Sequence, residues 1–166
     1  MSLCRSRFFV RCLLLLSIAS MLLFSSINTH AAEKINTLEK TGFFSYEASG
    51  TAIRGTDTVA YFTQGKPVKG SDKFTTEWQG ATWKFASQEH LDLFFANPEK
   101  YAPQFGGYCA YGVFKGQLVK IEPENWTIVD DKLYLNFNGS IQNTWEKDTE
   151  RYIQAAGANF HTLLAQ

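Results

Sequence analysis

The chain has 166 residues, 16 basic and 16 acidic side chains, and an aromatic content of 15%. This length suits one ordinary domain rather than two, and so many aromatic side chains favour a packed core over disorder. A chain without a cluster of Lys or Arg is a poor candidate for binding nucleic acid or anionic lipid, so we expect neither as a partner.

Residues 1–31 have the pattern of a secretory signal peptide. Three arginines precede an uncharged run from Cys12 to Phe24, and small or polar residues follow up to Ala31. The uncharged run is shorter than the roughly 20 apolar residues that a membrane span needs. We therefore expect cleavage near Ala32, a periplasmic or secreted product, and no stable membrane span after cleavage. A retained N-terminal anchor is the alternative.

Cleavage would change both the charge and the cysteine content. Three basic residues would leave and no acidic residue would, so thirteen basic and sixteen acidic residues would remain, a net charge of −3. Cys4 and Cys12 would also leave, which makes Cys109 the one remaining cysteine. A single cysteine excludes an internal disulfide and thiol–disulfide exchange within one chain.

Residues 32–50 are interpreted as a polar lead-in segment with room for a short helix, and the domain is expected over residues 51–166. Gly55 and Asp57 are typical turn residues ahead of an apolar run that ends at Phe62. Glycines and a proline then predict a loop.

A β-hairpin and a helix are predicted next. Residues alternate between apolar and polar from Phe74 to Trp78, a tight turn follows, and the chain returns up to Phe85. Ser87 is expected to cap the helix, because its hydroxyl can accept the free N–H groups of the first turn. The apolar face of this helix consists of Leu91, Phe94 and Phe95, and the helix ends before Pro98.

The stretch FGGYCAYG at residues 105–112 combines glycines and aromatic residues around the cysteine. It predicts a loop that leads into a short strand from Ala110 to Phe114. A second hairpin is predicted from Trp126–Val129 and Lys132–Phe137, with Asp130-Asp131 as its turn.

A final helical region is expected from Ser140, as its cap, to about Leu164, with Gly157 as a point where it could bend. Together these elements predict an α+β fold, a small single domain of short antiparallel β-hairpins with intervening and C-terminal helices. No internal repeat is visible in the sequence.

Three phrases of the chain match a known pattern. GTDTVAYF opens the domain, GGYCAYGV closes its core, and the most specific part lies between Trp83 and Tyr101, where an aromatic strand is followed by NPEKY. In these phrases the chain resembles the YHS domain family, in particular its exported single-domain branch. The resemblance extends from about Gly50 to the C-terminus and implies a YHS-type domain with a C-terminal helical extension.

The resemblance also implies a link to metals, because YHS domains occur beside heavy-metal transport and copper-handling modules. The metal-associated members usually carry one cysteine in the opening phrase and another just after the aromatic strand. The corresponding places here are Thr58 to Ala60 and Ala86, and neither holds a cysteine. If a metal binds, we expect copper(I) or zinc with Cys109 and His90 as ligands.

Cys109 and His90 each have a structural alternative. A lone thiol is often a small buried core residue, and a histidine early in a helix is more often a surface or cap-side residue. In the functional interpretation the helix dipole keeps His90 neutral and able to coordinate a metal. His161 has no neighbouring ligand in the sequence.

A second candidate site is an aromatic pocket for a small molecule or a partner protein, with Asp57, Tyr61, Tyr108 and Tyr111 as its lining. The same aromatic residues could instead form the core of a small domain without disulfides. Asp57 could be no more than a turn residue.

The sequence contains none of the signatures of serine hydrolases, zinc proteases or phosphate-binding loops. We therefore expect an exported binding module without catalytic activity, for which the resemblance suggests copper or zinc. One alternative is a metal-free module that binds its ligand or partner through the aromatic pocket. The other is a thiol-dependent enzyme that uses Cys109 and His90.

Overall fold

A computed structural model describes residues 33–43 and 45–166. The predicted signal peptide and its cleavage point lie outside these residues. Within them, none of the helices combines the length and the apolar character that crossing a bilayer requires.

Short strands and short helices alternate along the described part of the chain. The strands are β1 (Leu38–Lys40), β2 (Tyr46–Ala48), β3 (Thr56–Asp57), β4 (Val68–Lys69), β5 (Ser71–Trp78), β6 (Ala81–Phe85), β7 (Trp126–Val129) and β8 (Lys132–Leu135). The helices are α1 (Val59–Thr63), α2 (Gln88–Ala96), α3 (Pro98–Tyr101), α4 (Ala110–Phe114), α5 (Gly139–Trp145) and α6 (Thr149–Leu164). Consecutive strands pair into two-stranded antiparallel sheets, which confirms the α+β prediction.

One order of elements occurs twice along the chain. In the first half a turn at Ala52–Gly55 is followed by α1, the hairpin β5–β6 and the capped helix α2. In the second half a turn at Gln104–Gly107 is followed by α4, the hairpin β7–β8 and the capped helix α5. The two halves therefore share this order of turn, helix, hairpin and capped helix, although the first half also contains β3, β4 and α3. The sequence does not reveal the shared order because few residues are the same in both halves.

Each half begins with a left-handed turn of three residues in a row. Their φ angles are 49°, 55° and 68° at Ile53, Arg54 and Gly55, and 54°, 62° and 78° at Phe105, Gly106 and Gly107. Residues with a side chain rarely adopt positive φ, least of all a β-branched one such as Ile53. The surrounding structure must therefore hold these turns in place.

The lead-in segment holds both turns. The backbone C=O of Asn36 accepts the N–H of Ile53 at 3.0 Å, and its own N–H donates to the C=O of Gly106 at 2.8 Å. The side-chain amide of Asn36 donates to the C=O of Gly107 at 2.9 Å, and the preceding Ile35 is buried in the main core cluster. The short helix considered for this segment is wrong, since the described residues form the hairpin β1–β2.

Both predicted long hairpins are confirmed, although the second ends at Leu135 rather than at Phe137. The central residues of both turns have positive φ: Gln79 (50°), Gly80 (79°), Asp130 (50°) and Asp131 (57°). Two-residue turns of this kind match the right-handed twist of paired strands.

Helix α2 has the predicted cap and end, but one residue of its predicted apolar face is wrong. The hydroxyl of Ser87 accepts the N–H of His90, and the helix ends at Ala96, before Pro98. Phe94 is fully buried, whereas Phe95 is 76% exposed. His90 lies one turn before Phe94 on the same face of the helix, and both side chains are buried. The buried face of α2 therefore includes a polar residue and is not a purely apolar stripe.

Two further predictions in the second half are wrong. The strand expected at Ala110–Phe114 is the helix α4, because the Cys109 sulfur accepts the N–H of Gly112 and so caps a helical turn. The final helical region is two helices, and its cap is Asn138 rather than Ser140. It breaks between α5 and α6, and α6 runs straight through Gly157.

Aromatic side chains fill the core of both halves. Phe94 on α2 packs against Trp83 with ring centroids 4.8 Å apart, and Trp145 on α5 packs against Tyr134 at 5.4 Å. Phe94 and Trp145 are both fully buried. Truncating such side chains to alanine costs about 3–5 kcal/mol, so these contacts fix each helix on its hairpin.

Candidate functional site

Asp57 is a fully buried carboxylate that joins three elements. Its Oδ1 accepts the N–H groups of Val59 at 3.0 Å and Ala60 at 3.3 Å, which caps α1. Its Oδ2 accepts the N–H of Ala86 at 2.8 Å and lies 2.6 Å from Nδ1 of His90. Four donors around one carboxylate satisfy its hydrogen-bonding capacity, so Asp57 is both a turn residue and a structural centre of the first half.

His90 is 6% exposed and is held at both ring nitrogens. Nδ1 donates to the Asp57 carboxylate, so Nε2 is the ring nitrogen that faces the Thr63 hydroxyl. The Thr63 hydroxyl lies 3.2 Å from Nε2 and donates its single proton either to that nitrogen or to the C=O of Val59, also 3.2 Å away. An Asp–His–hydroxyl chain results, and the exposed Thr63 covers its outer end.

Cys109 is 2% exposed and holds the position in the second half that Asp57 holds in the first. Its sulfur accepts the N–H of Gly112 at 3.3 Å, and its thiol lies 3.7 Å from Oδ1 of Asn136. Burial raises the pKa of the Cys109 thiol, and the backbone N–H groups of Gly112, Phe137 and Tyr111 lower it by less. The protonated thiol is a poor nucleophile and a poor metal ligand.

The residues present do not fit a soft-metal site. The Cys109 sulfur is enclosed by backbone donors, and both ring nitrogens of His90 have other partners. The polar partners of Cys109 and those of His90 have no residue in common. Among the described residues, no group of three or more His, Cys, Asp or Glu side chains is placed to hold a metal ion.

The four residues proposed to line an aromatic pocket are distributed through the core. Asp57 and Tyr61 are buried in the first half, and the Tyr61 hydroxyl donates to the C=O of Pro123 at 2.9 Å. Tyr108 is 5% exposed, and its hydroxyl donates to the C=O of Glu33 at 2.9 Å. Tyr111 packs edge-on against Tyr152 at 5.3 Å. Tyr61 and Tyr108 are thus core side chains with a satisfied polar end, and Tyr111 is a half-buried ring packed against the core.

An open groove lies at the first left-handed turn, and we call it the Arg54 groove. Its volume is about 240 Å³. Its lining comes from four parts of the chain and consists of Glu39, Arg54, Thr56, Lys69, Glu122 and Glu124, which are charged or polar, and of the apolar residues Pro67, Val68 and Pro123. Sequence reasoning missed this site, because Arg54 looks like an ordinary loop residue and Glu122 and Glu124 like a solvated loop. The one available signal was a pair of acids flanking Pro123.

Part-buried and surface contacts join the walls of the Arg54 groove. The guanidinium of Arg54 forms an ion pair with Glu122 and bonds the C=O of Ile121 at 3.4 Å. Lys69 Nζ donates to the C=O of Arg54 at 2.9 Å. On the far wall Glu122 also pairs with Lys120 at 2.9 Å. These contacts, together with the Tyr61 hydroxyl on Pro123, make the groove a pre-formed feature rather than a gap between mobile loops.

The charges at the Arg54 groove are of both signs. Arg54 and Lys120 beside Glu122 hold the pKa of that carboxyl below its usual range, although its partial burial works in the opposite direction. Burial raises the pKa of the Tyr61 hydroxyl, and the negative charges of Glu124 and Asp57 raise it further. Glu122 is therefore an anion at neutral pH. The negative charge of Glu124 lies close enough to raise the pKa of the Tyr61 hydroxyl, which donates to the C=O of Pro123 in the groove wall.

A comparison with protein families matches residues 59–105 to the YHS domain. The match begins at α1 and ends in the second left-handed turn, so it contains His90 and Lys69 but neither Cys109 nor Glu122. Comparisons with curated proteins and with solved structures give no match.

Proposed function

We propose that this chain, whose residues 59–105 match the YHS domain, is an exported binding module without catalytic activity that takes a small molecule into the Arg54 groove. The observation that supports this proposal is the strained turn at the groove. Arg54 has a φ of 55°, whereas the corresponding residue of the second turn is Gly106. Arginine in this conformation costs roughly 1–2 kcal/mol relative to glycine, and such strain tends to occur at functional sites.

A metal-free module is favoured over the metal-related one because of how Cys109 and His90 are used. Each side chain caps or braces a helix, and neither presents an open coordination position. The same burial speaks against a thiol-dependent enzyme, since a nucleophilic cysteine needs an accessible thiolate and a neighbouring base.

Export is part of the proposal and follows from the basic, apolar and small-residue order of residues 1–31. Mass spectrometry of the chain recovered from the periplasmic fraction would test it. We expect a mature N-terminus near Ala32; full-length chain retained in the membrane fraction would contradict export as a free domain.

Binding in the groove can be tested by NMR with ¹⁵N-labelled chain from Ala32 onward and a library of small polar fragments. We expect the backbone amide signals of Gly55, Lys69 and Glu122 to move with at least some fragments. The variant Arg54→Gly should lose these shifts yet stay folded, because glycine adopts positive φ without strain. Lys73→Met on the exposed face of β5 is the matched control.

Fragments that shift only signals outside the groove, or that bind Arg54→Gly as well as the wild type, would contradict the proposed site. Copper(I) and zinc are titrated in the same experiment. A stoichiometric metal complex that is lost in both Cys109→Ser and His90→Ala would restore the metal-related function.

A further inference from the structure

We propose that the ligand of the Arg54 groove is a small zwitterion, with a carboxylate and an ammonium group on one compact skeleton, as in a free α-amino acid. This inference rests on the proposed function and specifies the ligand of the same site. It follows from which charges line the groove, which of them are already engaged, and how much room they leave.

The two cationic residues of the groove, Lys69 and Arg54, have N–H donors that form no hydrogen bond within the described part of the protein. Lys69 uses one of its three N–H groups on the C=O of Arg54. Arg54 has five N–H donors, and its bonds to Glu122 and Ile121 both come from the same nitrogen, Nη1. The other nitrogens of the guanidinium can therefore bind a carboxylate together with Lys69.

Two of the three carboxylates of the groove have no ion-pair partner among the described residues. Glu122 is shared between Arg54 and Lys120. Glu39 and Glu124 also line the groove, and neither takes part in the ion pairs found among the described residues. An ammonium group on the ligand would give these two acids a partner.

A ligand of one sign meets repulsion in this groove. An anion that reaches Lys69 also meets the carboxylates of Glu122 and Glu124, and a cation that reaches those acids meets Lys69 and Arg54. Like charges brought together cost affinity, and this is a common way of rejecting wrong partners. Among charged ligands, one that carries both charges matches the lining best.

The size of the groove limits the ligand further. Its volume of about 240 Å³ lies below the roughly 300–1,000 Å³ of pockets for drug-sized molecules. A free amino acid is of suitable size, whereas a long peptide or a nucleotide would extend well beyond the lining residues.

Isothermal titration calorimetry of the chain from Ala32 onward, with L-glutamine as the probe, tests this inference. The controls are N-acetyl-L-glutamine, which lacks the ammonium charge, and L-glutamine amide, which lacks the carboxylate. Glycine and L-proline extend the test to smaller zwitterions. We expect at least one zwitterion to bind ten-fold or more tightly than its two blocked forms.

Two variants assign the charges. Lys69→Met should weaken zwitterion binding ten-fold or more while leaving the affinity of the carboxylate-free amide unchanged. Glu124→Gln should weaken it while leaving the affinity of the acetylated form unchanged. Lys73→Met should bind as the wild type does.

Each outcome decides between the claims. If blocked and unblocked amino acids bind equally, or neither binds while polar fragments still shift the groove amides, the zwitterion inference is overturned and the proposed function stands. If no compound shifts the groove amides, both fall. Binding that survives in Lys69→Met and Glu124→Gln would place the zwitterion elsewhere and also overturns the inference.

Discussion

The two halves of the domain use one backbone arrangement with different chemistry at its centre. Asp57 in the first half and Cys109 in the second each follow a left-handed turn and cap a helix of five residues. Each also accepts an N–H from the residue just before the cap of the next helix, Ala86 or Phe137. The position therefore demands an acceptor, and a carboxylate or a sulfur atom can serve.

The residue that faces this position from the next helix also differs between the halves: it is polar in the first half and apolar in the second. His90 faces Asp57, and the corresponding residue of α5 is Ile141, since each of the two donates its backbone N–H to the side chain of its helix cap. Ile141 packs against the cluster that contains Cys109. A buried carboxylate needs a further donor, whereas a thiol is satisfied by apolar neighbours. The charged acceptor thus has a donor on the next helix, whereas the thiol has an apolar residue at the corresponding position.

The largest effect is expected from removing the acceptor of the first half. Asp57→Ala leaves the N–H groups of Ala86 and Val59 and the ring of His90 without their acceptor, at about 1–3 kcal/mol for each buried donor. We expect a loss of at least about 4 kcal/mol in the free energy of unfolding, or failure to fold. Cys109→Ala, the matched change, should cost only about 1–2 kcal/mol. Urea unfolding of the chain from Ala32 onward measures both, and equal losses would break the distinction between the halves.

An intermediate effect is expected from converting the second half into the first. Cys109→Asp buries a carboxylate that lacks a histidine partner and should destabilise the domain by roughly 2–4 kcal/mol. Adding Ile141→His should recover at least about 1 kcal/mol, although Ile141→His alone is destabilising. A double-mutant cycle of unfolding free energies measures this coupling. A coupling near zero would show that positions 109 and 141 do not correspond to 57 and 90.

Sequence reasoning found the parts of the fold that local patterns determine. The hairpin at Gln79-Gly80 and the cap at Ser87 were predicted correctly, because turn and cap residues act within a few positions of themselves. The helix at Ala110–Phe114 was missed, since its glycine and aromatic content suggests a strand while the decisive contact is the Cys109 sulfur on its first turn. Phe95 was placed inside because nothing in the helical period shows that His90 takes the inward position.

The candidate sites were harder to predict than the fold. His90 and Asp57 were singled out separately, but their contact joins residues far apart in the sequence. The Arg54 groove depends on a left-handed turn that Ile53 and Arg54 do not favour and that Asn36 in the lead-in segment supports. Such tertiary contacts override local propensity and leave no short-range pattern.

The smallest expected effect is a decrease in the free energy of unfolding at alkaline pH, caused by ionisation of the Cys109 thiol. Burial raises the pKa of Cys109 in the folded state, so its contribution is fully present below the thiol pKa of the unfolded chain, about 8.5, and is lost as the pH rises through the folded value. From about pH 8.5 upward the free energy of unfolding should fall more steeply in the wild type than in Cys109→Ser, which keeps a cap acceptor and does not titrate there. The difference is limited to about 1.4 kcal/mol per pH unit.

Burial, followed by the charge of Glu33, raises the pKa of Tyr108 to about 12, so tyrosine ionisation should affect both proteins alike at higher pH. Parallel curves from pH 8.5 to 10 would mean that the sulfur is solvated, and the likeness between Cys109 and the buried acceptor Asp57 would then fail.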